Sequence, residues 1–349
     1  MLTRRLWLAA APQTIDHELR ELATQAPLAM RFKGRTPSEL AAWQKSFRAT
    51  LAGLLGPFAP PARWTSTVER TVDAGDYQRQ ELLLKADGRR DLPVHLLLPK
   101  SATRRPGILA LHGHGPFGHD AVAGIDDTEA RRQDIASAHY DYGRQLAQRG
   151  YAVIVPCFTP MGRRVEARET YRGDDPCAVT FVRMQLLGRL LMGENLHDAL
   201  WALEHLARQP QVDAARLGCV GLSLGGRMAM LTTALEPRIR VAVCSGALNM
   251  LQERIQQRYS CGAQVIPGLL KYGDVPEIAS LIAPRPCLWE TGRQDKLMVP
   301  EWIPGALERM KLAWTAAGSA AAIPVDSFEG GHRWNGVLAY PLLATTLRP

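Results

Sequence analysis

The chain has 349 residues, 46% of them hydrophobic, and a formal net charge of +8 at neutral pH. This length and apolar content can fill one large core, and α/β folds often run this long as single units. Acidic residues are mixed among the basic ones, so we expect no nucleic-acid partner. No run approaches the ~20 apolar residues that cross a bilayer, so we expect no membrane association.

The N-terminal stretch "MLTRRLWLAAAPQT" contains twin arginines followed by the apolar residues 6–11. This pattern hints at an export signal. The apolar run ends at Pro12, however, and is too short for the hydrophobic region of such a signal. We therefore expect a cytoplasmic protein.

The six cysteines show neither close pairing nor metal-ligand spacing. Three fall in apolar runs that are typical of buried strands, where a free thiol packs as a small hydrophobe: Cys219, Cys244 and Cys287. The other three lie in predicted loops and leave a disulfide open: Cys157, Cys177 and Cys261. The pattern favours a reducing compartment.

The segment "TPSELAAWQKSFRATLAGLLG" predicts a helix with both ends marked. Thr36 is the N-cap, Pro37 takes the first helical position, Glu39 completes a capping box and Gly56 ends the helix. One face is apolar: Leu40, Trp43, Phe47, Leu51 and Leu54. That face predicts docking onto the rest of the chain or, alternatively, a homo-oligomer contact. Residues 1–65 are interpreted as an N-terminal helical extension.

Two strands, 77–85 and 92–99, read as an antiparallel pair with a turn at Asp87-Gly88. Short apolar runs then alternate with helical stretches. Six further strands are predicted at 107–112, 151–156, 216–222, 240–245, 286–291 and 323–328. Four helices are predicted at 140–150, 195–208, 226–235 and 305–318. This alternation predicts an α/β fold, a mostly parallel twisted sheet of about eight strands with helices on both faces.

Residues 66–349 are thus predicted to form one α/β domain. Two long stretches rich in Gly, Pro and aromatic residues interrupt it, at 157–190 and 246–284. Insertions of this kind usually form a cap or rim over a site.

The stretch "VGLSLGGRMAM" joins a predicted strand to a predicted helix through a serine. Gly221 and Gly225 give the G-x-S-x-G spacing, because side chains at these positions would clash with a sharply turned backbone. The turn predicts that Ser223 is raised above the carboxyl end of the sheet as a nucleophile.

A serine hydroxyl needs a general base, which is in turn held by a carboxylate. His332 in "FEGGHRWNG" is the only histidine after Ser223. "LWETGRQDKLMVP" offers two acids, and we prefer Asp295, which follows a turn, to Glu290, which lies in or at the end of a strand. The predicted triad is Ser223, Asp295 and His332.

The oxyanion formed by attack on a carbonyl needs preorganised N–H donors. We expect one from Leu224, the residue after the nucleophile, and one from the loop "LHGHGPFGHD". His114 is the preferred second donor and Gly115 the next. Four residues are predicted to line the substrate pocket: Phe117, His119, Glu290 and Trp334.

Three histidines of that loop suggest a metal site at first sight: His112, His114 and His119. They lack the carboxylate partner and the helical spacing that zinc motifs use, so no metal ligand is predicted. His112 is interpreted as a structural hydrogen-bonding residue.

The order "LHGHG", "LAQRGYAVIVP", "QVDAARLGCVGLSLGG", "LIAPRPCLWETGRQD" and "FEGGH" resembles the α/β-hydrolase superfamily. It is most similar to the dienelactone-hydrolase-like branch that includes acetyl xylan esterases, over roughly residues 75 to 345. "CGAQVIPGLLKYGDVPEIASLIAPRP" and the N-terminal helix also resemble that branch. Dienelactone hydrolases proper carry a cysteine nucleophile where Ser223 stands here, so the resemblance implies an esterase rather than a dienelactone hydrolase.

The expected function is therefore a serine carboxylesterase for a small ester, such as an acetylated carbohydrate or an aryl ester, with no cofactor. Four arginines of the first insertion favour an acidic ester: Arg163, Arg164, Arg168 and Arg172. Two alternatives remain. The same triad cleaves carbon–carbon bonds of diketone-like metabolites in similar hydrolases, and a non-catalytic receptor on this fold would usually have lost a triad member.

Overall fold

The structure, a computed structural model, describes residues 14–165 and 175–349. The twin-arginine segment lies outside the described residues, as do Arg168 and Arg172. Among the described helices, none combines the length and the apolar character needed to cross a bilayer.

The described residues form one nine-stranded sheet with the strand order β1-β2-β3-β5-β4-β6-β7-β8-β9. The strands are β1 Thr65–Asp73, β2 Tyr77–Lys85, β3 Leu92–Pro99, β4 Arg105–Leu111, β5 Ala152–Pro156, β6 Val212–Leu222, β7 Ile239–Ser245, β8 Cys287–Gly292 and β9 Val325–Phe328. In the run β5-β4-β6-β7-β8-β9, each strand is parallel to its neighbours. At the other end of the sheet, the pairs β1–β2, β2–β3 and β3–β5 are antiparallel. The mostly parallel sheet is confirmed, as is the hairpin of β2 and β3.

Strand β1 is the ninth strand, which the prediction of about eight did not include. Its sequence "TSTVERTVD" is polar, and nearly every residue is exposed. Because β1 is an edge strand with no buried face, its sequence carries no alternation of apolar and polar residues. It pairs with β2 from Thr65–Lys85 to Asp73–Gln78.

Helices cover both faces of the sheet. They are α1 Ile15–Thr24, α2 Pro37–Leu55, α3 His119–Val122, α4 Glu129–Ala138, α5 Tyr142–Gln148, α6 Pro176–Leu186, α7 Leu191–Ala207, α8 Leu224–Leu235, α9 Leu251–Gln256, α10 Val275–Ser280, α11 Ile303–Ala316 and α12 Ala339–Leu347. The two faces of the sheet carry separate cores, to which alternate residues of β4 contribute. On one face, Leu109 and Leu111 belong to the core with α2, α7, α8, α10 and α11. On the other face, Ile108 and Ala110 belong to the core with α3, α4, α5 and α12.

The N-terminal helix α2 is built as its sequence predicts. Thr36 and Glu39 form the capping box, with Pro37 in the first turn and Gly56 at the C-cap with φ of 74°. Its apolar face, which includes the fully buried Phe47, belongs to the larger core. The face therefore docks within the chain.

Polar contacts fix where α2 and the segment before it lie. Gln44 donates to the carbonyls of Ser280 and Ala283 at 3.1 and 2.8 Å. The N–H of Met30 donates to the carbonyl of Tyr272 at 2.7 Å. The N-terminal segment thus packs against residues 270–284, at the end of the second insertion.

The order of the parallel strands decides what meets at their carboxyl ends. Strands β6, β7, β8 and β9 are neighbours and end at Leu222, Ser245, Gly292 and Phe328. Residues that follow these strands are therefore brought to one edge of the sheet, although they are far apart in the chain.

We expect Phe47→Ala to lower the free energy of unfolding by about 3–5 kcal/mol, because it leaves a cavity between α2 and the core. Lys45→Ala, at an exposed position of the same helix, is the matched control and should change it by less than about 0.5 kcal/mol. Urea unfolding followed by circular dichroism measures both. Equal effects of the two substitutions would show that α2 is not part of the common core.

Candidate active site

Ser223 lies in a strained turn between β6 and α8. Its φ is 64° and its ψ −123°, a backbone conformation that residues other than glycine rarely adopt. The surrounding glycines make the turn possible: a Cβ on Gly221 would lie 2.3 Å from the carbonyl carbon of Gly225, and a Cβ on Gly225 would lie 1.8 Å from the oxygen of Leu111. The G-x-S-x-G spacing is therefore a packing requirement of this turn.

The turn leaves a backbone donor beside the serine. The N–H of Ser223 donates to the carbonyl of Ser245 at 2.9 Å, which ties the turn to the end of β7. Leu224 is the first residue of α8. The first N–H groups of a helix have no partner within the helix and carry its positive dipole end. Leu224 thus offers the N–H that an oxyanion beside Ser223 would need.

His332 and Asp295 are joined by a hydrogen bond of 2.7 Å between Nδ1 and Oδ2. The Asp295 side chain is almost completely buried, and its other oxygen accepts from the N–H of Leu297 at 2.8 Å. This geometry holds the imidazole with Nδ1 protonated, so that Nε2 is the basic nitrogen. The carboxylate is fixed and the imidazole is oriented before any substrate binds.

The loops that carry these two residues are packed directly against each other. A Cβ on Gly292 would lie 2.3 Å from the oxygen of Gly331, so only glycine allows the approach. The N–H of Gln294 donates to the carbonyl of Gly330 at 2.9 Å. The ends of β8 and β9 thus act as one platform.

Ser223 and His332 line the same cavity. The His332 ring lies over Gly246, where a Cβ would be 2.7 Å from Cε1 of the ring and 3.2 Å from Leu222 in β6. Nε2 of His332 is buried and has no hydrogen-bond partner among the described residues. In free enzymes the serine–histidine bond is often long and tightens only when substrate binds. The catalytic roles of the three residues stay predictions.

The loop after β4 runs against the serine. A Cβ on Gly113 would lie 3.0 Å from Cβ of Ser223 and 2.8 Å from the hydroxyl of Tyr140. That hydroxyl donates to the carbonyl of His114 at 2.9 Å. Tyr140 therefore fixes the peptide segment from which the second oxyanion donor is predicted. No motif marks Tyr140 in the sequence, because it lies between α4 and α5, 26 residues after His114.

The cavity has a volume of about 750 Å³. Its described lining residues are His114, Tyr140, Asp175, Ala178, Ser223, Gly246, Asn249, Arg254, Arg258, Tyr259, Ser260, Cys261, Gly262, Gln264, Leu297, Met298 and His332. Most of them come from the two insertions, above all from 246–284.

The four predicted pocket residues are not among these lining residues, so that prediction needs correction. Phe117 packs against the core below the guanidinium of Arg131, and His119 is buried with its ring stacked on His95 at 4.5 Å. Trp334 is buried and stacked on Tyr142. These large side chains follow strands, but they point into the core instead of the cavity.

Glu290, the fourth of them, anchors the histidine loop from below. Its side chain is fully buried and accepts from the N–H groups of Asn335 and Gly336 at 3.2 and 2.8 Å. Burial raises its pKa from 4.5 to about 7, against the opposing effect of those two hydrogen bonds. Glu290 is therefore a support of the His332 loop.

His112 has the structural role expected of it. Its Nε2 accepts from the N–H of Phe158 at 2.8 Å, and its Nδ1 donates to the carbonyl of Gly113 at 2.8 Å. Burial lowers its pKa to about 4, so the ring is neutral. His112 binds the loop after β4 to the segment after β5.

Of the four arginines expected to select an acidic ester, the two within the described residues are already paired. Arg163 binds Glu69 of β1, and Arg164 binds the buried Asp198 of α7. Neither lines the cavity. The cationic side chains that do line it are Arg254 and Arg258 of the second insertion.

Comparison with known proteins agrees with this architecture. Residues 129–266 match the model of the dienelactone hydrolase family. The chain is 29% identical to "Putative hydrolase YtaP" of Bacillus subtilis over 269 residues, which cover 75% of this chain and 84% of that protein.

Two solved structures share the fold at low sequence identity. One is a "putative acetyl xylan esterase" from Bacteroides fragilis, with a TM-score of 0.75 and 16% identity over 91% of this chain and 83% of that one. The other is a glucuronoyl esterase from Solibacter usitatus, with a TM-score of 0.62 and 14% identity over 88% of this chain and 93% of that one. The chain has the α/β-hydrolase fold, and its resemblance to the dienelactone-hydrolase-like branch is confirmed.

We expect the stability of the wild type, relative to the Glu290→Gln variant, to fall as the pH rises from about 5 to about 8. The folded chain keeps the Glu290 proton up to a pKa of about 7, whereas the unfolded chain releases it near 4.5. Folding therefore binds a proton in this window, and stability falls by up to ~3 kcal/mol before it levels off.

Urea unfolding of both proteins at the two pH values measures this difference, because all other titrating groups are common to them. A stability difference that does not change with pH would contradict the raised pKa.

Proposed function

We propose that the chain is a serine carboxylic-ester hydrolase that acts on esters of carbohydrates. The observation that carries the proposal is the strained turn at Ser223 beside a His332–Asp295 pair, with both bordering one cavity. Strained backbone at a polar residue in a cleft is typical of a catalytic position. The esterase names of the two structural neighbours support the same reaction class.

In this mechanism Nε2 of His332 takes the proton of Ser223 as the hydroxyl oxygen attacks the ester carbonyl. The oxyanion accepts hydrogen bonds from the N–H groups of Leu224 and His114, and Asp295 stabilises the imidazolium. The imidazolium protonates the leaving alcohol, and an acyl group remains on Ser223. Water, deprotonated by His332, then releases the acid. Every step uses side chains and backbone of this chain, and no cofactor is needed.

We expect the cavity to accept a polar substrate, because polar side chains of its lining can form hydrogen bonds to it. Polar side chains outnumber aliphatic ones in its lining, and the hydroxyl of Ser260 and the amide N–H groups of Gln264 can bond a substrate. The amide oxygens of Asn249 and Gln264 already accept from Arg227. Tyr259 is 90% exposed at the rim, where its ring offers an apolar surface to the face of a sugar. Arg258 adds positive charge that suits an acidic sugar, whereas Arg254 beside it already faces Glu253 and donates to the carbonyl of Leu297.

Ester cleavage is favoured over cleavage of a carbon–carbon bond, because both structural neighbours described above bear the names of esterases. A non-catalytic receptor is not favoured either, since serine, histidine and carboxylate are all present. Labelling of the serine separates the receptor from both enzymes.

We also propose the division of the chain into an N-terminal helical extension, 1–65, and a catalytic domain, 66–349, with the insertions 157–190 and 246–284 as the rim. Their contribution to the lining of the cavity supports the rim. The cytoplasm is the proposed compartment, which six free cysteines support.

A fluorophosphonate probe should label the wild type with one probe per chain and should not label Ser223→Ala. The same substitution should lower kcat for an acetylated sugar by at least ~10⁴-fold, because it removes the nucleophile. Intact-mass spectrometry and product analysis measure the two effects. Ser260→Ala, at another serine of the cavity lining, is the matched control for labelling and should still be labelled. Ser66→Ala, at an exposed serine of β1, is the control for turnover and should leave it unchanged.

A screen over acyl length and alcohol type then tests the substrate class. Faster cleavage of sugar acetates or sugar-acid esters than of long-chain esters is expected, and the reverse order would refute the carbohydrate assignment.

Tyr140→Phe should lower kcat roughly 10-fold with little change in KM, because it loosens the loop that supplies the second oxyanion donor. Tyr340→Phe is its control: it also removes a bonded hydroxyl, which donates to Gln145 at 2.8 Å outside the cavity lining. Steady-state kinetics of both variants measure kcat and KM separately. A change confined to KM would show that Tyr140 acts on binding alone.

A further inference from the structure

Three residues that no sequence motif connects come together at the mouth of the cavity. Cys177 lies in the first turn of α6, Cys261 directly precedes the short helix Gly262–Gln264, and His114 lies in the loop after β4. Their ligand atoms, two Sγ and one ring nitrogen, all lie within 4.8 Å of one another. Cys261 and His114 line the cavity together with Ser223, and Cys177 is buried just behind them.

The elements that carry the three side chains are held in place by other contacts. A Cβ on Gly262 would lie 2.4 Å from the ring of Phe181, so α6 and the short helix are packed face to face. Asp175 caps α6 by accepting from the N–H of Ala178 at 2.8 Å. The carbonyl of His114 is held by Tyr140. The cluster is therefore positioned before any ligand binds.

Two thiols and an imidazole are the ligand set of borderline and soft divalent ions. Around Zn²⁺, with bonds of ~2.3 Å to sulfur and ~2.0 Å to nitrogen, tetrahedral donor atoms lie roughly 3.5–3.8 Å apart. The observed limit of 4.8 Å is close enough for small side-chain rotations to reach this geometry. Ca²⁺ and Mg²⁺ require oxygen ligands, which the cluster lacks.

We propose that His114, Cys177 and Cys261 form a binding site for one thiophilic divalent cation of the Zn²⁺ class at the mouth of the cavity. Three protein ligands leave a fourth position open, which water or a substrate oxygen fills. Binding deprotonates the thiols and releases their protons to solvent. The prediction that this chain has no metal ligand is thereby revised. That prediction judged the six cysteines and the loop histidines, His114 among them, by their spacing along the sequence, whereas these three residues meet from separate segments.

Binding of the ion has a consequence for the proposed hydrolase. The backbone N–H of His114 is the second oxyanion donor in that proposal, and its side chain would be a metal ligand. A bound ion would hold the loop in one position and place charge and a coordinated water at the entrance. The expected effect is reversible inhibition of ester hydrolysis. This effect rests on the proposed function, whereas the binding itself does not.

The test titrates Co²⁺ and Cd²⁺ into the full chain after reduction, removal of metal and confirmation that all thiols are free. Both ions give thiolate-to-metal absorption bands. We expect one ion per chain with such bands, and at least ~100-fold weaker binding in Cys177→Ser and Cys261→Ser, each of which loses a ligand. Cys157→Ser is the matched control, because Cys157 is a buried free cysteine outside the cluster.

Thermal unfolding of each variant confirms that it is folded. Full bands in a folded Cys177→Ser variant, or no binding to wild type with free thiols, would overturn the site. A disulfide between Cys177 and Cys261 would also overturn the metal site. It would show as a mass two hydrogens lower in the native protein and as one cross-linked pair of peptides that contain the two cysteines.

The activity arm measures ester turnover with Zn²⁺ relative to turnover without it, and again after addition of a chelator. Inhibition that the chelator reverses, and that Cys177→Ser weakens, supports the consequence for the hydrolase. Binding without inhibition would overturn that consequence alone. A chain that hydrolyses no ester would refute the proposed function, while the absorption titration would still decide the metal site.

Discussion

The site depends on one constraint: the backbone turns sharply at Ser223, where β6 meets α8. The φ of Ser223 is positive, which is unfavourable for every residue except glycine. Such a conformation costs about 1–3 kcal/mol and persists only when its surroundings enforce it. Here Gly225 lies against the carbonyl of Leu111 in β4, and Gly226 lies so close to Ser245 in β7 that a Cβ would be 2.4 Å from its oxygen. The two neighbouring strands thus clamp the turn from both sides. The serine oxygen is fixed by the sheet itself, independently of any later loop.

His332 is positioned in a different way from Ser223. Two buried carboxyl groups hold its ring and its loop by hydrogen bonds, without a strained backbone at the histidine. Its loop is held by Asp295, which orients the ring, and by Glu290, whose carboxyl group supports the backbone at Asn335 and Gly336. Trp334, two residues after His332, is buried and stacked on Tyr142, which also fixes this loop. Burial of Glu290 raises its pKa, so anchoring the loop has a cost in stability at higher pH. Residues that look like pocket walls in sequence are anchors in the structure.

Sequence patterns predicted the features that depend on residues close together in the chain. The capping of α2, the turn at Asp87-Gly88 and the buried strands follow from signals within a few residues, and the structure has all of them. What escaped prediction has no local signal. Strand β1 is polar on both faces because it is an exposed edge, and the partners of Arg163 and Arg164 lie on other elements. The direction of a large side chain after a strand depends on loop packing, which explains the misplaced pocket residues.

The mouth of the cavity shows why such distant contacts matter for specificity. The two insertions line the cavity and also contact each other, because α6 packs against the short helix Gly262–Gln264. His114 links these two elements to the loop beside Ser223, because its carbonyl accepts from Tyr140 and its ring lies close to the two thiols. One short loop therefore belongs to both the mouth and the predicted oxyanion site. We therefore expect a ligand at the rim to act on this loop, and substrate selection and turnover to be coupled through His114.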